Sequence, residues 1–238
     1  MTPLIQVRGL RYRYADGTPA LNGVDFDLHP GETVALMGPN GSGKTTFVLH
    51  LNGLLRGEGS VTVCGSPVNQ GNLAFIRRKV GLVFQDPDSQ LFMPTVLEDV
   101  AFGLLNLGMD APAARERALA ALDSVGLASS AGKAPYHLSE GEKKRAALAG
   151  VLAMDPEILI LDEPTTFLDP PGQRSLAALL AGLSQAKILV THHIPLALAL
   201  ASRAVFFQNG LVVANGPVSE VVASFGWEFV LERSKSSS

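Results

Sequence analysis

A short glycine-rich segment, GPNGSGKTT at positions 38–46, carries the clearest chemistry of the sequence. It matches the pattern G-x-x-x-x-G-K-[ST], in which small residues let consecutive backbone N–H groups wrap around phosphate oxygens. A helix that begins after the glycines adds the partial positive charge of its N-terminus. A glycine-rich turn without a nucleotide is the alternative. The segment favours a nucleoside triphosphate site, whose predicted residues are Gly38, Asn40, Gly41, Ser42, Gly43, Lys44, Thr45 and Thr46.

Two of these residues have individual predicted roles. We expect Lys44 to reach the β- and γ-phosphates and the hydroxyl of Thr45 to ligate Mg²⁺. A second motif, ILILDEP at 158–164, is an apolar run that ends in two acids. Ligands bind outside the carboxyl ends of strands in open α/β sheets, so we expect Asp162 to hold Mg²⁺ and Glu163 to polarise an attacking water. Alone, this run could be a capped strand end, but the glycine-rich segment favours a catalytic site.

Strands and helices alternate at both ends of the chain, with a helical block between them. This order predicts a parallel α/β core interrupted by a helical insertion. Helices are expected from Lys44 towards Leu55, through about 95–153, and at 195–202, where an apolar helix packs on the sheet. The predicted strands lie at 4–7, 24–28, 32–38, 59–65, 80–84, 157–163 and 187–192, with a hairpin at 203–216 around Asn209-Gly210.

Composition restricts the class of protein. The 238 residues carry a net charge of −3, which argues against nucleic acid as the main partner, because phosphate backbones call for a basic surface. No apolar run is long enough for a membrane span, although 47% of the residues are hydrophobic. The N-terminus lacks the pattern of a secretory signal. A cytosolic globular protein is therefore expected.

The segment LSEGE at 138–142 resembles the LSGGQ signature of ATP-binding cassette (ABC) ATPases. A glutamine-bearing loop (Gln85 in VFQDP) and a late histidine (His192 in VTHH) complete five motifs in the family's order. The resemblance covers residues 3–222. It implies the α/β fold of P-loop ABC ATPases: a parallel α/β core with an antiparallel β subdomain and a helical insertion. The implied organisation is a single domain at 1–225, with its core at about 1–84 and 156–225 and a helical subdomain at about 86–154, followed by a tail at 226–238.

The same resemblance implies ATP and Mg²⁺ as cofactors and assigns further roles. Tyr14 resembles the aromatic residue that stacks on adenine, with Tyr12 the weaker candidate; packing on a strand face is the alternative for Tyr14. Gln85 resembles the residue that touches Mg²⁺ or the water and links the site to a transmembrane partner. His192 resembles the histidine that senses the γ-phosphate, and Glu163 the catalytic base. A metal site shared by His192 and His193 is disfavoured, because adjacent residues at a strand end point to opposite faces.

In the family, two subunits sandwich two ATP molecules. The resemblance therefore implies that Ser139, Gly141 and Glu142 act on the ATP held by a second cassette, either an identical chain or a paralogue. Leu168 and Asp169 resemble the loop that crosses this dimer interface. A monomer should be a poor enzyme, because each site would lack the donors of the opposite signature helix.

Four positions depart from the family pattern. Glu140 replaces the first signature glycine and Glu142 the signature glutamine, Phe167 replaces a small residue, and His193 stands where aspartate is frequent. A carboxylate at Glu140 is electrostatically unfavourable near a triphosphate. Gly141, whose backbone must approach the phosphate, is retained. We therefore expect a working but slower site.

The stretch after Gln85, QDPDSQLFMPTVLEDVAFGLLNLG, resembles ATPases of energy-coupling factor importers, which take up cobalt, nickel, biotin and other vitamins. The resemblance implies a transmembrane coupling protein and a substrate-binding membrane protein as partners, and a peripheral location on the cytoplasmic face of the membrane. Another ABC transporter class, a soluble ABC protein and a non-catalytic nucleotide sensor are the alternatives. The expected docking residues are apolar anchors, which could instead be core, and acids that would pair with basic residues: Phe84, Leu91, Phe92, Asp86, Asp88 and Glu98.

Overall fold

The computed structural model describes residues 2–227, which contain ten strands in two sheets. Residues 228–238 of the predicted tail lie outside the described residues. The strands are β1 (Ile5–Arg13), β2 (Pro19–Leu28), β3 (Thr33–Met37), β4 (Glu58–Val63), β5 (Ser66–Pro67), β6 (Val80–Val83), β7 (Ile158–Asp162), β8 (Ala186–Val190), β9 (Arg203–Gln208) and β10 (Leu211–Gly216).

The larger sheet has six strands in the order β10-β9-β3-β8-β7-β6. Its neighbouring pairs are parallel except for β9 and β10, which form the predicted hairpin. Asn209 and Gly210 both have positive φ, 50° and 73°, as a tight hairpin turn requires. Strands β7 and β8 are fully buried, which explains why they read as continuous apolar runs rather than alternating ones.

The smaller sheet is antiparallel, in the order β2-β1-β4-β5. Strands β1 and β2 extend well beyond the predicted segments at 4–7 and 24–28. Their extra residues mix polar and apolar types, because one face of this sheet meets solvent while residues such as Leu10 and Leu21 face the core. Prediction from short apolar runs therefore underestimated the length of both strands.

Eight α-helices accompany the strands within residues 2–227. The first ends at Leu51 rather than near Leu55, and Gly53 then turns the chain at a φ of 72°. The helices are α1 (Lys44–Leu51), α2 (Leu73–Lys79), α3 (Val96–Asn106), α4 (Ala111–Ser124), α5 (Glu140–Ala153), α6 (Pro170–Ala181), α7 (Ile194–Leu200) and α8 (Val218–Ser224).

Helices α3, α4 and α5 form a cluster of their own. They bury apolar residues such as Val100, Leu104 and Leu122 against one another, apart from the core around the sheets. Helix α7 buries Leu196 and Ala197, and Ala197 packs in one cluster with residues of β3 and β9, as expected for an apolar helix on a sheet. In the described part of the chain, no helix combines the length and apolar character needed to cross a membrane.

Candidate active site

The glycine-rich segment connects β3 to α1, and two of its glycines are set by close packing. A Cβ at Gly38 (φ 133°) would lie 2.1 Å from the carbonyl oxygen of Phe207. A Cβ at Gly43 (φ 105°) would lie 2.5 Å from the carbonyl oxygen of Ala20. Gly41 (φ 75°) has open space instead. The loop is therefore held against both sheets, and glycine is required for different reasons along it.

A cavity of about 320 Å³ lies over this loop. It brings together the loop, the acids at the end of β7, and three residues distant in sequence: Tyr14, Gln85 and His192. The described residues that line it are Tyr14, Thr18, Pro19, Ala20, Asn40, Gly41, Ser42, Gly43, Lys44, Thr45, Thr46, Gln85, Asp162, Glu163, Val190 and His192. Gly38, predicted to bind ATP, is not on this wall. Thr18, Pro19 and Ala20 were not predicted, because this turn and the start of β2 contain no phosphate-binding motif.

Lys44 is buried at the base of the cavity. Its Nζ donates to the carbonyl oxygens of Gly38 at 2.7 Å and Pro39 at 2.9 Å. Burial lowers the pKa of Lys44, while the nearby carboxylates of Glu163 and Asp162 act to raise it. The ammonium group of Lys44 thus lies between the glycine-rich loop and the two acids, a position from which it could bind the phosphates of a nucleotide.

Thr45 and Asp162 form a pair suited to a divalent cation. The Thr45 hydroxyl donates to Oδ2 of Asp162 at 3.3 Å, and Gln85 lines the same cavity. Burial is the main cause of a raised pKa at Asp162, a cost that a cation would relieve. These hard oxygen donors suit Mg²⁺. Since the described residues hold no cluster of three or more acidic, histidine or cysteine ligands, Mg²⁺ here would need phosphate oxygens as well.

Glu163 and His192 meet beside this pair. Oε1 of Glu163 is buried, has no hydrogen-bond partner among the described residues, and lies 3.3 Å from Nε2 of His192. Burial is the main cause of a raised pKa at Glu163 and of a lowered pKa at His192. A desolvated carboxylate with a raised pKa is a better proton acceptor, as activation of a water requires. Strand β8 ends at Val190, so His192 lies in the following loop rather than at the strand end predicted.

Tyr14 lies on the cavity wall, and its side chain is 42% exposed. Its hydroxyl hydrogen-bonds the hydroxyl of Thr46 at 2.7 Å. Tyr12 instead packs partly buried against the core, its ring 4.8 Å from that of His50. Of the two tyrosines, Tyr14 therefore has the position from which a ring could face a bound base.

The signature residues begin α5 and are not on the described cavity wall. Ser139 and Glu142 form a capping box: the Ser139 Oγ accepts from the Glu142 backbone N–H at 3.3 Å, and the Glu142 carboxylate accepts from the Ser139 N–H at 2.9 Å. The backbone N–H and the hydroxyl of Ser139 both donate to the Glu142 carboxylate, and these two hydrogen bonds lower the pKa of Glu142. Glutamate and glutamine can both close a capping box, so Glu142 is compatible with this helix start.

The predicted dimer loop lies next to the signature. A Cβ at Gly141 would lie 3.7 Å from Cδ2 of Leu168. The carboxylate of Asp169 accepts from the Gly172 N–H at 2.9 Å and caps α6. Phe167 is 78% exposed and has a φ of 66°. Signature and loop thus occupy neighbouring positions, away from the cavity of their own chain.

Lys144 was missed by the sequence analysis. It is buried in α5, and its Nζ donates to the carbonyl oxygen of Gln85 at 2.9 Å. Burial lowers its pKa. The signature helix is therefore bonded directly to the glutamine loop. A lysine within an otherwise apolar helical face was the available signal.

A second cavity, of about 290 Å³, lies between the glutamine loop and helices α3 and α5. Phe84, Leu91 and Phe92 all line it, but Leu91 is also buried in the helical core, whereas Phe92 is 61% exposed and packs edge-on against Phe102 with ring centroids 5.0 Å apart. The wall of this cavity therefore combines residues of the helical core with exposed surface residues.

The acidic side chain of this cavity is Asp99, which the sequence analysis did not select. Its Oδ1 accepts from the backbone N–H groups of Phe92 and Met93, each at 2.9 Å. Its Oδ2 is buried without a hydrogen-bond partner in the described region, and burial raises its pKa. Glu98 instead forms a capping box with Thr95 at the start of α3. Asp88, also expected as a docking residue, pairs with Lys143 at 2.8 Å.

This sheet topology, with a glycine-rich loop, the Thr45–Asp162 pair and the desolvated carboxylate of Glu163 at the carboxyl ends of its strands, is that of a P-loop nucleotide hydrolase. The family model for ABC transporters matches residues 21–166, and the chain belongs to this family. It is an ATP-hydrolysing cassette with the ABC ATPase fold, as the five motifs predicted.

Three known proteins resemble the chain. The energy-coupling factor transporter ATP-binding protein EcfA of Methanothermobacter thermautotrophicus is 46% identical over 224 residues, covering 92% of this chain and 72% of its own. The structure of CbiO1 from Clostridium perfringens, part of the transporter complex CbiONQ, matches with a TM-score of 0.84 and 36% identity over 94% of this chain and 92% of its own. A dimeric ABC cassette with ADP and Pi, in a post-hydrolysis state, matches with a TM-score of 0.81 and 30% identity over 90% of this chain and 98% of its own. The resemblance to energy-coupling factor ATPases is thus confirmed.

Proposed function

We propose that this ABC cassette powers an energy-coupling factor importer for a metal ion (cobalt or nickel) or a vitamin such as biotin. Hydrolysis of ATP by two cassettes would drive a transmembrane coupling protein that works with a substrate-binding membrane protein. The cavity beside the glutamine loop carries the proposal, because it offers a transmembrane partner a docking site joined directly to the nucleotide site. The names of the EcfA and CbiO1 relatives support it.

The docking cavity has the chemistry of a helix-binding groove. Exposed aromatic rings of Phe92 and Phe102 give an apolar wall, and Asp99, which also lines it, has a buried Oδ2 with no partner among the residues described. A helix of the coupling protein that bears a basic residue would supply the missing hydrogen bond and neutralise a desolvated carboxylate. Movement there would reach Gln85 through Lys144, which donates to its carbonyl oxygen.

We propose the following roles in hydrolysis. Tyr14 holds adenine, the loop from Gly38 to Thr46 holds the phosphates, and Thr45, Asp162 and Gln85 hold Mg²⁺. Glu163 accepts the proton of the attacking water, and His192, whose Nε2 lies 3.3 Å from Oε1 of Glu163, senses the γ-phosphate. A single domain spans 1–225, with the core at about 1–84 and 156–225 and the helical subdomain at about 86–154.

We further propose that two cassettes close face to face over two ATP molecules, at the cytoplasmic face of the membrane. Ser139, Gly141 and Glu142 would then act on the partner's nucleotide, beside Leu168 and Asp169. The exposure of Phe167 supports this interface. A large apolar side chain in a left-handed backbone conformation costs about 1–3 kcal/mol, and contact with a partner surface would offset that cost.

Recovery of the membrane complex tests the importer assignment. The tagged chain is purified from solubilised native membranes, and co-purifying proteins are identified by mass spectrometry. A small helical coupling protein and a substrate-binding membrane protein are expected, and the second names the substrate class. Recovery of only soluble partners would overturn the importer assignment and leave the ATPase chemistry standing.

The docking groove is tested by Asp99→Asn with Phe92→Ser. Co-purification of the membrane proteins should fall by about tenfold, because the groove loses its charge and an apolar anchor. Glu116→Gln with Phe75→Ser, on α4 and α2, is the matched control, since both side chains are exposed and outside the groove. Equal losses in the two double variants would show that the groove is not the docking site.

The dimer is tested by Glu163→Gln, which keeps the shape of the side chain and removes the base. With ATP, this variant should elute as a dimer in size-exclusion chromatography, and Ser139→Ala on the same background should weaken the dimer. A monomer under all conditions contradicts closure between identical chains. Mixing with a co-purified paralogous cassette then distinguishes a heterodimer from no dimer.

A further inference from the structure

The end of the described chain turns back over the nucleotide-binding core. Helix α8 is followed by Gly226, whose φ of 65° is the left-handed conformation common after a helix end. The N–H of Gly226 donates to the carbonyl oxygen of Ala223 at 3.1 Å, and that of Trp227 to Val222 at 3.0 Å. The turn is thus fixed by hydrogen bonds, and it directs Trp227 away from the helix axis.

Aromatic packing anchors the turn to the larger sheet. The ring of Phe206, on β9, stacks on that of Phe225 with centroids 3.8 Å apart and planes 4° apart. The indole of Trp227 packs edge-on against Phe206, with centroids 5.1 Å apart. Trp227 therefore has a defined position that its backbone and Phe206 set together.

The indole of Trp227 also contacts His192. Their ring centroids are 5.6 Å apart and their planes are tilted by 32°. Nε2 of His192 also lies 3.3 Å from Oε1 of Glu163. His192 belongs to the loop between β8 and α7, so no regular element fixes its imidazole. Trp227 and Glu163 are thus two neighbours that confine the ring.

We propose that Trp227 is a positioning residue for hydrolysis, which holds the imidazole of His192 beside Glu163 and the cavity. The proposal rests on the proposed role of His192. Trp227 itself does not line the cavity, so it acts through the orientation of His192 and not through contact with the nucleotide. Misplacement of a catalytic group by about 1 Å can cost up to about a hundredfold in rate, so an intermediate loss is expected when the indole is removed.

Steady-state ATPase kinetics of the full chain test the positioning role. Trp227→Leu should lower kcat by about tenfold while KM for ATP changes by less than about twofold, and Trp227→Phe should restore most of kcat because a flat ring remains. Phe75→Leu on α2 is the control for loss of an exposed aromatic ring. An unchanged kcat in Trp227→Leu, or an equal loss in Phe75→Leu, overturns the proposal.

Fluorescence tests the contact separately from the role of His192. Trp227 is the single tryptophan of the sequence, so its emission reports this position alone. His192→Ala should change the emission intensity, whereas His193→Ala should not. Emission that is identical in wild type and His192→Ala shows that the contact is absent and overturns the proposal. Full ATPase activity in His192→Ala, with altered emission, instead shows that the proposed role of His192 is wrong.

Discussion

Replacing Glu163 with glutamine should make the nucleotide-free protein more stable while it abolishes turnover. Oε1 of Glu163 is buried without a hydrogen-bond partner among the described residues, and only 13% of the side chain is exposed. An unsatisfied buried polar group costs about 1–3 kcal/mol, and more when it is charged. Glutamine keeps a polar atom at this position but carries no charge. At a pH above the folded pKa of Glu163, where the carboxylate is ionised, we therefore expect Glu163→Gln to raise the free energy of unfolding by about 1–3 kcal/mol, because it removes a desolvated charge.

The pH dependence of this gain follows from the direction of the pKa shift. Burial raises the pKa of Glu163 above its ordinary value of 4.5, so the folded protein binds this proton more tightly than the unfolded chain does. The carboxyl therefore lowers stability as pH rises from its ordinary pKa through its folded pKa. The stability advantage of Glu163→Gln should therefore be larger near pH 8 than near pH 4.5.

Urea unfolding of both proteins without nucleotide, at these two pH values, measures the effect. The difference between wild type and variant isolates Glu163, since carboxyls with lowered pKa values, such as Glu32 and Glu157, are common to both. Glu116→Gln, exposed on α4, controls for a change of one charge. A variant that is no more stable near pH 8, or an advantage equal at both pH values, would refute the desolvation argument.

Three further predictions concern individual positions. Glu140→Gly should leave ATP turnover equal or higher, because a carboxylate near the triphosphate is removed; a large fall in kcat would show that its pairing with Lys143, at 3.3 Å, matters more. Gly38→Ala should lower the free energy of unfolding in urea by more than about 4 kcal/mol or prevent folding, because its Cβ would lie 2.1 Å from a backbone oxygen. Gly41→Ala meets nothing within 4 Å and should lower it by only about 1–2 kcal/mol. Thr45→Val should lower the Mg²⁺-dependent part of ATP affinity and reduce turnover by at least about tenfold, measured by titration with and without Mg²⁺; unchanged Mg²⁺ dependence would remove Thr45 from the cation site.

The contrast between Glu98 and Asp99 shows why sequence reasoning selected one acid whereas the second cavity is lined by another. Both follow Thr95 within the first turn of α3, and composition does not separate them. Glu98 is three residues after the cap and closes a capping box, which sequence spacing alone could have indicated. Asp99 accepts from the backbone of Phe92 and Met93, a contact that depends on how the preceding loop folds over the helix.

Strand and helix limits show the same division. The buried strands β3, β7 and β8 were predicted closely, because apolar side chains on both faces leave a continuous signal. Strands β1 and β2 were underestimated, since solvent covers one of their faces and polar residues are allowed there. Helix α1 ends four residues before the predicted limit because Gly53 takes a positive φ. The apolar pattern of residues 44–55 does not reveal this backbone conformation.

Residue types and short spacings predict the chemistry: a glycine-rich loop for phosphates, a pair of acids after a buried strand, and the family motifs in order. These are local patterns, because each depends on residue types and spacings within a few positions. Tertiary structure alone placed Thr45 against Asp162, 117 residues away, and Lys144 against Gln85, 59 residues away. It also placed Trp227 on His192 and left one oxygen of Asp99 buried without a partner in the described structure. Such contacts join segments that meet only when the sheets and helices pack, so no spacing along the chain encodes them.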